Sequence, residues 1–286
     1  MLTDHEKQKI TQLVHHWVVP AIGCTEPICV ALAAARAAQE LHSTPTHIRA
    51  RLSANILKNA MGVGIPGTGM VGLPIAIAIG ALAGDASKGL EVLGHCTPED
   101  VDRGKAFIAE DRIEITLAED APEKLYVDVT LTDSDQHQAR VVIAREHTHI
   151  VSIEHDGHMI ESHPLQASST ATERTEEELQ LCLHKVWEYA TTMPEAEIEF
   201  INEAARLNIA AAERSLQGNY GHCLGKALSR PLGRGIMGES IFSHILSSTS
   251  CACDARMAGA MIPVMSNSGS GNQGICATNP VVVFAR

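Results

Sequence analysis

The sequence predicts an α+β fold, a mostly helical main body carrying an inserted antiparallel strand-rich subdomain. Apolar residues recur at helical spacing near both ends of the chain, whereas between residues 111 and 163 the period shortens to two. The composition supports a packed core. Of 286 residues 45% are hydrophobic and only 3% aromatic, so that core rests on Ala, Val, Ile, Leu and Met.

In chain order, helices are expected over 5–18 and 26–42. The second has Thr25 as N-cap, Pro27 in its first turn and the run "ALAAARAAQE" behind it. "HIRARLS" (47–53) alternates as a strand does. The uncharged stretch from Ala60 to Gly84 is long enough to span a bilayer. Its first half holds five glycines and a proline, with no flanking Trp or Tyr, so a glycine loop leading into a buried helix over Leu73–Leu82 is expected instead. "TPED" opens a helix near 98–109. Five strands follow, in "RIEITLA", "KLYVDVTLT", "ARVVIA", "HIVSIE" and "HMIES". Residues 166–178 read as a linker and N-cap region, with helices at about 174–192, 195–213 and 234–248. The expected division is 1–105 and 166–286 for the helical body and 106–165 for the insert.

A net charge of −12 with no Lys/Arg cluster argues against a nucleic-acid partner. The charged start "MLTDHEKQK" has no apolar signal region, and no span is expected, so the protein is placed in the cytoplasm without a membrane partner. The eight cysteines then face a reducing compartment.

Three sets of glycines spell G-x-G-x-x-G: 62/64/67, 67/69/72 and 269/271/274. A dinucleotide site also needs a preceding strand, a following helix and an acid about twenty residues on. After Gly274 come twelve residues without Asp or Glu, and Pro66 and Pro74 interrupt the earlier pattern. What remains is backbone N–H presented to an anion, or a tight turn. No metal ligands are assigned. Cys251, Cys253 and Cys276 read as small packed residues, and His147, His149, His155, His158 and His163 as solvated turn histidines. Cys24, at the mouth of the second helix, reads either as a thiol placed where the macrodipole favours a thiolate or as a buried structural cysteine like Cys29.

"GCTEPICVALAAA" (23–35), "NILKNAMGVGIPGTGMVGLPIA" (55–76), "HTHIVSIE" (147–154) and "DARMAGAMIPVMSNSGSGNQGI" (254–275) together resemble the serine dehydratase α-chain/L-cysteine desulfidase group, the bacterial UPF0597 proteins in particular. The resemblance runs in order over nearly the whole chain. It implies a cytoplasmic lyase with a [4Fe–4S] cluster that eliminates water or sulfide from L-serine or L-cysteine, giving pyruvate and ammonia. Cys24 matches the cysteine of the GCTEP motif and becomes the candidate base. Lys58, Asn59, Arg256, Asn267, Ser268, Gly269, Gly271 and Asn272 become the candidate substrate-binding residues, Lys58 and Arg256 for the carboxylate. The family's usual chain is longer, and its cluster-binding cysteines follow the motif matched at 254–275. This sequence ends before them, so the resemblance implies a shortened chain without the cluster and inactive alone. The alternatives are a non-catalytic amino-acid-binding or oligomer-forming remnant and a small-anion enzyme; a homo-oligomer is expected in either the lyase or the remnant.

Overall fold

The computed structural model describes residues 1–163 and 179–286. The expected linker over 166–178 lies outside them. Helix α1 (Asp4–Trp17) starts at a capping box in which Thr3 and Glu6 satisfy each other's backbone N–H groups. Strand β1 (Pro20–Ile22) leads to α2 (Thr25–Leu41), whose N-cap is Cys24. Strand β2 (His47–Leu52), helix α3 (Ala54–Ala60), the glycine loop, helix α4 (Leu73–Ala83), a 3-10 segment (Ala86–Glu91) and α5 (Pro98–Ala109) follow.

The α+β class holds, with one difference in pairing. Strands β3 (Ile113–Leu117), β4 (Tyr126–Thr132), β5 (Gln138–Ala144), β6 (Ile150–His155) and β7 (His158–Ser162) form one six-stranded sheet with β2, in the order β3-β2-β4-β5-β6-β7. The strand-rich part is therefore not a purely antiparallel meander. β2 lies between β3 and β4 and runs parallel to β3. Helices α3 to α5 provide the long crossover that a parallel pair requires.

Helix α2 packs across β4 and β5 and against α4. Alanine and glycine let these two helices approach closely: a Cβ on Gly80 would lie 2.5 Å from the Ala31 carbonyl oxygen. Ile28, Ile48, Ile75, Ile77, Ile79 and Leu131 fill the space around them. The stretch tested as a bilayer span is thus a loop and a buried eleven-residue helix. No helix among the described residues is long and apolar enough to cross a membrane.

The C-terminal part comprises α6 (Leu183–Thr192), a single turn α7 (Glu195–Ile198), α8 (Asn202–Gln217), α9 (Leu224–Ser229), α10 (Pro231–Met237), α11 (Ile241–Met257), β8 (Pro263–Met265) and α12 (Gly271–Ala285). The helix expected over 234–248 is divided between α10 and α11, because Gly238 takes φ +72° between them. Helices α8, α11 and α12 bury Ala211, Ala212, Cys251, Ala252 and Ile275 among themselves. β8 pairs antiparallel with β1, Pro20 opposite Met265, and so ties the two ends of the chain together.

Candidate active site

Four of the resembling segments meet where β1, α2, the glycine loop and the end of α11 come together. The two glycine-rich segments dock through their backbones. Gly64 donates its N–H to the Met257 carbonyl at 3.0 Å, and a Cβ on Gly64 would sit 2.3 Å from the Ala258 carbonyl group. Glycine serves close chain approach here.

At the N-terminus of α2, the Cys24 side chain makes no capping bond. Its thiol instead donates to Oε2 of Glu26 at 2.9 Å, and the Thr25 hydroxyl donates to the same oxygen at 3.2 Å. Asn59, at the end of α3, donates from Nδ2 to Glu26 Oε1 at 3.2 Å. Burial opposes ionisation of Glu26. The bonds from Cys24, its own N–H and Thr25, together with the charge of His147, outweigh that and hold the carboxyl below its usual range.

The expectation of a Cys24 thiolate is reversed. Burial, aided by the Glu26 charge and opposed by Arg256, pushes the thiol up to about 12. The partial charge of a helix end is weaker than desolvation combined with an adjacent carboxylate.

Arg256, at the end of α11, is only 4% exposed. It donates from Nη1 to Asn272 Oδ1 at 3.1 Å, and its buried Nε has no hydrogen-bond partner among the described residues. A Cβ on Gly271 would lie 2.2 Å from that Nε, so only glycine leaves room for the guanidinium. His147, between β5 and β6, lies against Gly269: a Cβ there would be 2.7 Å from Nδ1. It is half-buried, contrary to the reading of a solvated turn histidine. Burial, opposed by Glu26 and reinforced by Arg256, lowers its pKa.

The loop at 266–270 is a tight turn tied to the chain before β1. Ser266 and Ser268 donate their N–H groups to Val19 and Trp17, and Asn267 and Ser270 bond each other's backbones. Those four N–H groups, of Ser266, Asn267, Ser268 and Ser270, are committed within the protein. β8 precedes this turn and α12 follows it, yet among the described residues β8 pairs only with antiparallel β1 and no parallel dinucleotide-binding unit forms. Ser268, Gly269 and His147 line a cavity of about 160 Å³ with Trp17 and Leu90.

The structure therefore gathers Cys24, Asn59, Arg256, Gly269, Gly271 and Asn272, and adds Glu26 and His147. Lys58 is exposed and has no ion-pair partner among the described residues. Glu26 stands inside the quoted GCTEP motif and His147 opens "HTHIVSIE", so both carried a signal in the resemblance.

The thiols do not fit a four-cysteine iron–sulfur site. All eight cysteines are free. Cys24 is bonded to Glu26, and Cys29 is fully buried inside α2 with its thiol pushed up. Cys253 lies against Cys276, whereas Cys251 is buried among Ala211, Ala212 and Ile275. Among the described residues no three thiols converge on one point.

Residues 87–286 match the family model of the serine dehydratase alpha chain. A UPF0597 protein of Bacteroides thetaiotaomicron is 58% identical over 285 residues, covering 99% of this chain and 65% of the relative. UPF0597 proteins of Oleidesulfovibrio alaskensis and Porphyromonas gingivalis are 47% and 46% identical, each covering 98% of this chain and 65% of the relative. The chain thus spans 65% of the length of these curated relatives. No solved structure matches it.

Proposed function

Because the chain belongs to the serine dehydratase alpha chain family, we propose that the Cys24–Glu26–Arg256 site binds a small L-amino acid and serves its α,β-elimination. L-Serine or L-cysteine is the substrate, and pyruvate and ammonia are the products, with sulfide from cysteine. The cytoplasm, where eight free thiols stay reduced, is the proposed compartment.

The observation that carries this reading is the thiol–carboxylate contact of 2.9 Å beside a buried arginine. Arg256, with an unmatched Nε, takes the substrate carboxylate. The ionised Glu26 is the proton acceptor, and Cys24 passes the proton on. As sulfur receives the Cα proton it gives its own to Glu26, so no free thiolate has to form at a group titrating near 12. The Cα–H electron pair expels the β-hydroxide or β-thiolate, and the proton gained by Glu26 balances the one that group takes up. The aminoacrylate then hydrolyses. These thiols do not form the donor set of an iron–sulfur cluster.

Calorimetric titration with L-serine and L-cysteine, followed by pyruvate assay after anaerobic reconstitution with iron and sulfide, tests the reading. Binding that Arg256→Met abolishes is expected of this chain, and turnover that Glu26→Gln and Cys24→Ser abolish is expected of a chain extended to the length of the relatives. Failure to bind either amino acid overturns it. The scattered thiols favour a second reading, a non-catalytic amino-acid-binding member of the family, for which binding without pyruvate is the signature.

A further inference from the structure

At the far end of β6 from His147, three side chains from two neighbouring turns form a second cluster. His137 ends the β4–β5 turn, and His155 and Asp156 open the β6–β7 hairpin. One ligand atom from each lies within 4.8 Å of the others. His137 Nδ1 is 2.8 Å, and His155 Nε2 3.5 Å, from Oδ2 of Asp156. Two ligand atoms about 2.05 Å from a tetrahedral zinc ion stand about 3.3 Å apart, and the two imidazole–carboxylate distances here, 2.8 and 3.5 Å, lie on either side of that spacing.

Every member is held from behind. His155 donates Nδ1–H to the Glu40 carbonyl at 2.9 Å, which leaves the Nε2 lone pair facing the cluster. The other oxygen of Asp156 accepts the Gln138 N–H at 2.8 Å. The backbone of His137 is fixed by its N–H bond to the buried Asp133 carboxylate, which also accepts from Ser43. A backbone carbonyl behind one imidazole and a backbone amide behind the carboxylate are how ligating side chains are oriented at metal centres. His42, the C-cap of α2, adds a third imidazole, its ring centroid 6.4 Å from that of His155.

We propose that His137, His155 and Asp156 bind one divalent transition-metal ion of the zinc class, with water in the fourth position and His42 at the rim. Imidazole nitrogen with carboxylate oxygen suits such an ion better than calcium or magnesium, which take oxygen ligands. The site is separate from the Cys24–Glu26 cluster and stands whether or not the proposed lyase reading holds.

Titration of the tag-free protein with Co²⁺, followed by visible absorption and by displacement with Zn²⁺, tests it. One equivalent per chain, with the intense bands of four-coordinate cobalt and no sulfur-to-cobalt charge transfer, is expected. His155→Ala should weaken binding on the order of tenfold or more. His137→Gln and Asp156→Asn, at exposed or half-exposed turn positions, should do the same while circular dichroism is unchanged. Binding that survives these substitutions, a charge-transfer band that marks a thiol site, or no stoichiometric uptake overturns the proposal.

Discussion

The thiol of Cys24 donates a 2.9 Å hydrogen bond to Glu26, two residues along the first turn of α2. In the resting protein it is a proton donor. With the group titrating at about 12, its thiolate fraction at pH 8 is roughly one in ten thousand. Cys182 and Cys276, which are exposed, should therefore alkylate with iodoacetamide well before Cys24. Peptide mass spectrometry at timed intervals reads this order. Glu26→Gln removes the charge that helps hold the thiol up and should speed labelling of Cys24. If Cys24 labels first in the unmodified protein, the environment assigned to it is wrong.

Gly271→Ala places a methyl group on the Arg256 guanidinium. The arginine has to move, so L-serine affinity should fall by more than the fold suffers. The loss of stability should be about 1–3 kcal/mol, a core overpacking effect. Calorimetry and thermal melting separate the two outcomes, and unchanged affinity would remove Arg256 from the binding role.

Gly80→Ala sets two effects against each other. Alanine gains about 1 kcal/mol in helix propensity, but its Cβ would lie 2.5 Å from the Ala31 carbonyl oxygen. Packing should win, with a net loss of about 1–3 kcal/mol in urea denaturation. A more stable variant would show that α2 and α4 can separate at little cost.

Glu6 titrates at about 2 instead of 4.5, because Lys185 on α6 donates to it at 2.8 Å and Thr3 donates to it at the helix cap. The folded value is the lower one. Its contribution is complete above pH 4.5 and is lost as pH falls toward 2. The stability difference between the natural protein and Glu6→Gln should shrink across that interval in thermal scans. A difference that stays constant would mean the pair is screened by solvent.

Leu232 and Ile236, four apart on α10, are 78% and 76% exposed, and Phe242 and Phe284 are 60% and 73% exposed. Apolar exposure of this kind favours self-association. Sedimentation should show a concentration-dependent oligomer that Leu232→Ser with Ile236→Ser dissociates. A monomer at high concentration would count against the expected homo-oligomer.

Strands β3 to β7 were legible because their alternation is local, and α5 because Thr97 and Asp100 form the capping box that "TPED" announces. Helix α12 was not legible. Gly271, Gly274, Asn279 and Pro280 all oppose a helix, and the segment is held by packing on α8 and α11. Strands β1 and β8, three residues each, carry too short a pattern to read. In the site, Cys24 and Arg256 could be named from the resemblance, but the raised pKa of the Cys24 thiol could not. Glu26 reads in sequence as an ordinary acid in a first helical turn, and His147 as one histidine of five. Only the closure that brings Arg256 and Gly269 to them gives each its setting.

The pairing of β1 with β8 has a consequence for the order of events in folding. The Ser266 hydroxyl reaches the Val19 carbonyl across 247 positions of chain. Among the described residues, the buried core around α2, α4 and the sheet draws on residues 21 to 153 alone. It can therefore condense on the ribosome while β1 still waits for its partner. Arg256, Gly269 and Gly271 are synthesised about a hundred residues after Ile153, the last member of that core. The pocket around Cys24 is thus completed only after the scaffold beneath it has set, so a nascent chain stalled before residue 254 should fold its sheet yet leave Glu26 without its arginine.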